Sequence, residues 1–352
     1  MALGSSLRAL IVPNNDAFDK LPYSSLKTAF ANNDVDVITN VLEYHLLPGV
    51  HTTSSLTPGV PQFIPTLMTN SNYTNVTGGQ VVENVKQAGN VVVYVSGSGS
   101  RSTLTQADQL FNGGVVQVID TILLPPTNLT STADAFNLTS FEGALYTTNH
   151  LDSVSDQKDI TVFVPNNDAF QALGPGITEL TVDQLTSVVN YHILPSTVVY
   201  SANLTNGSTF TTEQGTKLRI THINNNVYVN SAQLLQSDIL IENGVLHIID
   251  NVLNWQDTTA LPNATIPTQS PVFPSASPVG NIPFTAAFPC SSNCPTPPPR
   301  STATPSPTVR STVSNQALRT STSKAIAMSQ QTAVGAAHVG GLMVALGVGL
   351  MI

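Results

Sequence analysis

One heptapeptide, written twice, constrains this chain more than anything else in it. Val12 to Phe18 and Val164 to Phe170 both read VPNNDAF. Each completes a short run of β-formers and leads into a helical pattern. Proline ends the strand and the short polar side chains after it can cap the helix, so the heptapeptide is a strand-to-helix corner. Seven identical residues in a row do not recur by chance in 352. The chain is an internal repeat, and its other parts can be set side by side from this corner.

A helical pattern follows each corner, Asp34 to Leu47 and Thr181 to Leu194, ending EYHLLPG and NYHILPS. Ile38, Val41, Leu42 and His45 in the first, and Leu185, Val188, Val189 and His192 in the second, fall at i, i+3, i+4, i+7. Pro48 and Pro195 are expected to stop these helices. Period-two patterns come next, with strands expected at Gln80 to Val85, Val91 to Val95, Thr197 to Tyr200, Thr209 to Thr212, Lys217 to Thr221, Val227 to Val229, Asp238 to Glu242 and Val245 to Ile249. Each copy closes on an apolar strand that reaches an aspartate, Asp120 or Asp250. From His45 to Asp120 is 75 residues and from His192 to Asp250 is 58, a surplus assigned to the loop from Leu56 to Gly79. A helix over Ala135 to Thr147, with Phe136, Leu138, Phe141 and Leu145 on its apolar face, precedes the second corner. Only eight residues precede Ala9, so the first copy is expected to be truncated at its amino end, without its opening helices or a signal peptide.

Charged residues make up 9% of the chain, where globular domains carry about a quarter. Asn-x-Ser/Thr sequons at Asn72, Asn75, Asn128, Asn137, Asn203, Asn206 and Asn263 point to a secreted surface covered by glycan. All 21 acidic residues lie at or before Asp257, against 8 of the 12 basic ones, and an acidic folded region argues against a nucleic-acid partner. The two cysteines, Cys290 and Cys294, lie beyond that region, so its cores are expected to stand without disulfides.

From residue 257 to about 323 the composition turns to Pro, Ser, Thr and Ala, which predicts a disordered, O-glycosylated stalk. Residues 332–352 carry no formal charge. A polar spacer before a terminal apolar tail has the pattern of a glycosylphosphatidylinositol (GPI) attachment signal over residues 324–352, with Ser323 or Asn315 as the attachment residue. A plain membrane span is the alternative, though no basic anchor follows it.

The order VPNNDAF, then Tyr44-His45 or Tyr191-His192, then an apolar closing strand such as NGVLHIIDNVL, resembles the fasciclin domain, present twice. The resemblance covers residues 1–126 and 128–256. It implies an α+β fold, each domain a wedge-like β-sandwich with helices packed at one side. It also implies adhesion or matrix organisation outside the cell, and no catalysis. In some animal members the tyrosine-histidine region and an Asp-Ile pair near the closing strand are linked to receptor binding. The matching positions here are Tyr191, His192, Asp238 and Ile239; the first copy has Asp108-Gln109 at the pair and Gln117 in place of His247.

Each of these residues also has a purely structural reading: a buried histidine on an apolar stripe, asparagines that cap helices, aspartates that bond strand ends. No G-x-S-x-G, H-E-x-x-H or phosphate-cradling glycine loop is present, so no enzyme, cofactor or metal is expected. The sequence predicts a GPI-anchored, cell-surface glycoprotein on the plasma membrane or cell wall, with a composition leaning to a fungal source. Its expected partners are surface, wall or matrix components, or a second copy. A structural wall glycoprotein without a specific site, and a polysaccharide-binding or glycan-processing module, are the alternatives.

Overall fold

A computed structural model describes residues 7–24 and 26–287. The first domain contains strands β1 (Arg8–Pro13), β2 (Leu46–Pro48), β3 (Gln62–Pro65), β4 (Val81–Lys86), β5 (Val92–Val95), β6 (Arg101–Phe111) and β7 (Gly114–Ile119). Helices α1 (Asn15–Asp19), α2 (Lys27–Ala31) and α3 (Val35–Tyr44) lie between β1 and β2. The second domain opens with three helices, α4 (Leu129–Ala135), α5 (Thr139–Thr147) and α6 (Leu151–Asp156). Then come β8 (Ile160–Pro165), α7 (Asn167–Leu173), α8 (Pro175–Thr178) and α9 (Val182–Tyr191). It closes with β9 (Ile193–Leu194), β10 (Thr209–Thr211), β11 (Lys217–Ile223), β12 (Asn226–Val229), β13 (Ala232–Ile241) and β14 (Gly244–Ile249).

The two sheets share one topology: β2-β1-β7-β6-β5-β4-β3 and β9-β8-β14-β13-β12-β11-β10. In each, the corner strand pairs in parallel with the closing strand, and every other pairing is antiparallel. The two layers expected of a sandwich are halves of one continuous sheet, bent where β6 and β13 slip register at matching places. The sheet nearly closes, because Leu67 N–H donates to Leu46 O and Glu213 N–H to Ile193 O, both at 2.8 Å. Two glycines fix the parallel pairing. A Cβ on Gly114 or Gly244 would sit 1.7 or 1.9 Å from the carbonyl oxygen of Arg8 or Ile160.

Several expectations need correction. The helices bearing the tyrosine-histidine pair end at Tyr44 and Tyr191, short of the prolines, because the residues between become β2 and β9 and pair with the corner strand. The helix expected over Ala135 to Thr147 starts only at Thr139, because Asn137, with φ +55°, separates it from α4, a helix the pattern did not predict. Thr197 to Tyr200 is extended but outside the sheet, held instead by Thr161, whose Oγ1 donates to Thr197 O and accepts from Val199 N–H.

The stalk does not start at 257. Residues 257–287 fold back over the second domain as a strap. Phe273, Ala276 and Phe284 pack on the core that unites α4, α5, α7 and α9 with the sheet. Asn251 and Asn254 donate their Nδ2 groups to Ser270 O and Val272 O, and Val279 N–H donates to Gln171 O. Averaged composition hides three apolar anchors among the prolines. Cys290, Cys294, Asn315, Ser323 and the apolar tail lie outside the described residues. Among the described residues no helix is long and apolar enough to cross a membrane.

Candidate functional site

The tyrosine-histidine pair is built by the end of a capped helix. Thr181 and Gln184 form a capping box that fixes the start of α9, and Asp34 caps α3. His192 follows the last turn, where its Nδ1 bonds its own helix at Val188 O (2.7 Å) and its Nε2 accepts Leu253 N–H (3.0 Å). An Nε2 that accepts leaves the proton on Nδ1, so the ring is the neutral Nδ1–H tautomer. Burial lowers its pKa to about 4. Tyr191 is buried, with its hydroxyl donating to Lys217 O and accepting from Asn230 Nδ2. The first domain repeats the device. His45 bonds Val41 O and accepts Leu123 N–H, Tyr44 donates to Val81 O, and burial again brings the histidine to about 4.

Asp238 sits on the β13 bulge with φ +63°, a left-handed conformation that aspartate tolerates better than most residues. Its Oδ1 accepts Ser201 N–H, and its own N–H donates to His247 Nδ1, while His247 Nε2 donates to Val199 O. At the matching bulge Asp108 has φ +55° and accepts from Thr53 N–H and Thr53 Oγ1. There Gln117 replaces the histidine bond for bond. Its Oε1 accepts Asp108 N–H at 2.9 Å and its Nε2 donates to His51 O at 2.9 Å. Ile239 points the other way from its neighbour, into the core shared with Phe141, Phe170 and Val189.

The four positions marked by the resemblance are therefore all buried. Tyr191 and His192 bond separate partners, Asp238 bonds Ser201 and His247, and Ile239 lies in the core. Other expected structural roles match the geometry. Asn14 and Asn166 cap α1 and α7, and Asp120 and Asp250 accept Thr103 N–H and Gln233 N–H across their sheets. Of the sequons, Asn72, Asn128, Asn137, Asn203, Asn206 and Asn263 are exposed, while Asn75 is half-buried.

Asn75 is half-buried because it belongs to a seam that sequence reasoning missed. The surplus loop of the first domain crosses to the second. Asn75 N–H donates to Glu242 O at 2.9 Å, and Thr77 donates through both N–H and Oγ1 to the carboxylate of Asp159. Gln80 is fully buried and donates its amide to Ile241 O at 3.0 Å. Phe63 and Tyr200 stack across the seam, centroids 4.0 Å apart and planes within 8°. Glu83 lies beside it, raised to about 7 first by burial and then by the charge of Asp238, with Arg101 opposing. The only advance signal was the extra length of that loop.

On its helix side the first domain carries an open, almost wholly apolar groove of about 460 Å³, lined by Val12, Phe18, Phe30, Val41, Leu42 and Leu46 among others. In the second domain α5 occupies the equivalent place, with Phe141 against His192. Among the described residues, no group of three or more His, Cys, Asp or Glu is arranged to hold a metal ion.

A sheet bent back on itself, a parallel closing strand and a histidine locked behind the helix, all present twice, define a tandem pair of one α+β module. The chain belongs to the fasciclin family: residues 6–125 and 136–255 each match the Fasciclin domain. It is 35% identical over 259 residues to a fasciclin-like arabinogalactan protein of Arthroderma benhamiae, covering 74% of this chain and 61% of that one. A fasciclin-like arabinogalactan protein of Cercospora beticola is 28% identical over 226 residues (62% and 60%), and human periostin 28% over 250 (68% and 27%). The chain thus spans about three fifths of the two fungal relatives. Among solved structures, a FAS1 domain pair from the insect cell adhesion molecule Fasciclin I aligns with a TM-score of 0.37 and 16% identity, over 72% of this chain and 90% of that one.

Proposed function

We propose that this protein acts in cell-surface adhesion or cell-wall organisation, through a glycosylated fasciclin pair carried on a lipid-anchored stalk. The observation that carries the reading is where the polar chemistry goes. The histidines and bulge aspartates of both domains are spent on the fold, while six of the seven sequons face outward. Its membership of a family that includes fungal fasciclin-like arabinogalactan proteins and periostin supports the same reading. In it, Tyr191, His192, Asp238 and Ile239 hold the contact surface in shape and do not themselves touch the partner. The partner is a surface, wall or matrix component, or a second copy. The anchor is a GPI group at Ser323 or Asn315.

A second reading, a wall glycoprotein that works through its sugars alone, draws support from the scarcity of charge and the outward sequons. One experiment separates the two. Beads carrying the intact glycosylated protein, and beads carrying the same protein irreversibly unfolded with its glycans in place, are counted after washing on cells of the source organism. Adhesion through the folded pair predicts a loss of most retention on unfolding. Equal retention of both leaves the sugars to account for binding and removes the case for a folded contact surface.

A further inference from the structure

The strap crosses the second domain as a single file of attachments, each met in chain order. Gln269 N–H donates to Asp250 Oδ2, Ser270 O and Val272 O accept from Asn251 and Asn254, and Ser277 N–H donates to Leu173 O. Val279 N–H donates to Gln171 O, and Pro283 O accepts from Ser140 Oγ at 2.9 Å. Phe284 then stands edge-on to Phe170, centroids 6.1 Å apart, over Gly143, where a Cβ would meet Phe284 O at 2.4 Å. None of the strap residues named pairs in a sheet, and none lies in an element of the repeat.

Order of loading follows from that layout. A pull on the chain beyond residue 287 reaches Phe284 first, then Val279, then Phe273, breaking one attachment at a time. The sheet beneath resists differently: β8 and β14 exchange hydrogen bonds over six residue pairs, so a pull along the strands loads them together. Local opening free energies range from near zero in loosely held segments to the global value in core strands, and a strap held outside the sheet by single contacts belongs towards the low end.

We propose that residues 257–287 are a mechanical fuse, a strap that peels under tension before either fasciclin domain opens and reseats when tension falls. The inference rests on the reading that the protein is tethered through the segment that follows the strap, but not on any partner. Peeling releases roughly 100 Å of contour at about 3.5 Å per residue. A surface contact would then be spared the first part of any jolt, because slack is paid out while both domains stay folded.

The test is single-molecule stretching of the full chain, held by its first and last residues. The expected trace has a low-force, reversible extension of up to that length, then two larger unfolding events. Phe284→Ala, and Val279→Pro, which deletes the N–H given to Gln171 O, should move the early extension to lower force and leave both later events at their wild-type force and length. The later events also report whether each variant has folded. Release of the strap only together with the second domain, in one longer event, overturns the fuse. So does a variant that lowers the second domain's unfolding force in step with the early extension. The measurement needs no partner and no cell, so either outcome leaves the bead experiment to decide adhesion by itself.

Discussion

The two domains have one topology, one bulge and one corner sequence, yet their helix sides have opposite fates. Val164, Phe170 and Val189 are 1, 2 and 1% exposed; their counterparts Val12, Phe18 and Leu42 are 40, 48 and 60% exposed. The difference is the helical layer. In the second domain α5 and the strap cover that face, and Asn167 ties α7 to the start of α5 by accepting Ser140 N–H and donating to Asn137 O. In the first domain the same asparagine of the same heptapeptide, Asn15, is exposed. Burying a large apolar side chain contributes about 1.5–3 kcal/mol, so the uncovered face forgoes on the order of 3 kcal/mol. Among the described residues, the heptapeptide is repeated letter for letter while one copy has the neighbour that uses it.

The contrast can be pushed hardest at one helix position. Val189→Glu should cost the second domain more than about 4 kcal/mol, since a carboxylate would be buried without a partner. Leu42→Glu should change the first by within about 0.5 kcal/mol, since that side chain already meets water. Urea unfolding followed separately in each domain checks both; equal losses would mean that the groove is closed in solution.

Acid tests the exchange of His247 for Gln117. Burial lowers the histidine pKa values, so the neutral form is favoured in the native state. Stability is then full above pH 6.5 and is lost as pH falls towards about 4. His45 and His192 each contribute about 3 kcal/mol of that loss, one per domain. His247, also lowered by burial, adds a second titrating group to the second domain alone. His247 therefore adds to what the second domain loses between pH 7 and pH 4, and His247→Gln should remove that part of the loss.

A smaller effect of opposite sign comes from Glu142 on α5. Burial first, then the charge of Asp134, raises its pKa to about 7, so the neutral carboxyl is favoured and its contribution is lost as pH climbs from about 4.5 through 7. Glu142→Gln should stabilise the second domain by about 1–2 kcal/mol at pH 8 and not at pH 4. Thermal melts at the two pH values would show it, and a gain of the same size at both would assign the effect to packing.

Much of this architecture was legible in the residues. The repeat, the corner and the closing strands follow from period and punctuation, which are local. The tyrosine-histidine helix was placed correctly but ended late. Its last residues fit a helical stripe, and only pairing with β1 or β8 makes them strand. The sequence marks Gln117 only as a departure from His247, because the bonds that make the two side chains equivalent run to His51 and Val199, far away in sequence. The strap escaped because Phe273 and Phe284 are two aromatics in a segment otherwise written in stalk composition. The seam escaped because a buried glutamine amide has no sequence pattern of its own.

That seam has a consequence for valency. With Gln80 bonded to Ile241, Asn75 to Glu242 and Thr77 to Asp159, the pair is held across its junction by main-chain acceptors and a carboxylate, in addition to the linker at Thr127. Two modules locked at a fixed angle cannot search independently for two ligands, so under the proposed adhesive function the pair would meet a partner as a single footprint. Stronger attachment then has to come from the number of molecules packed on a surface, and doubling the domains within one molecule does not double its grip.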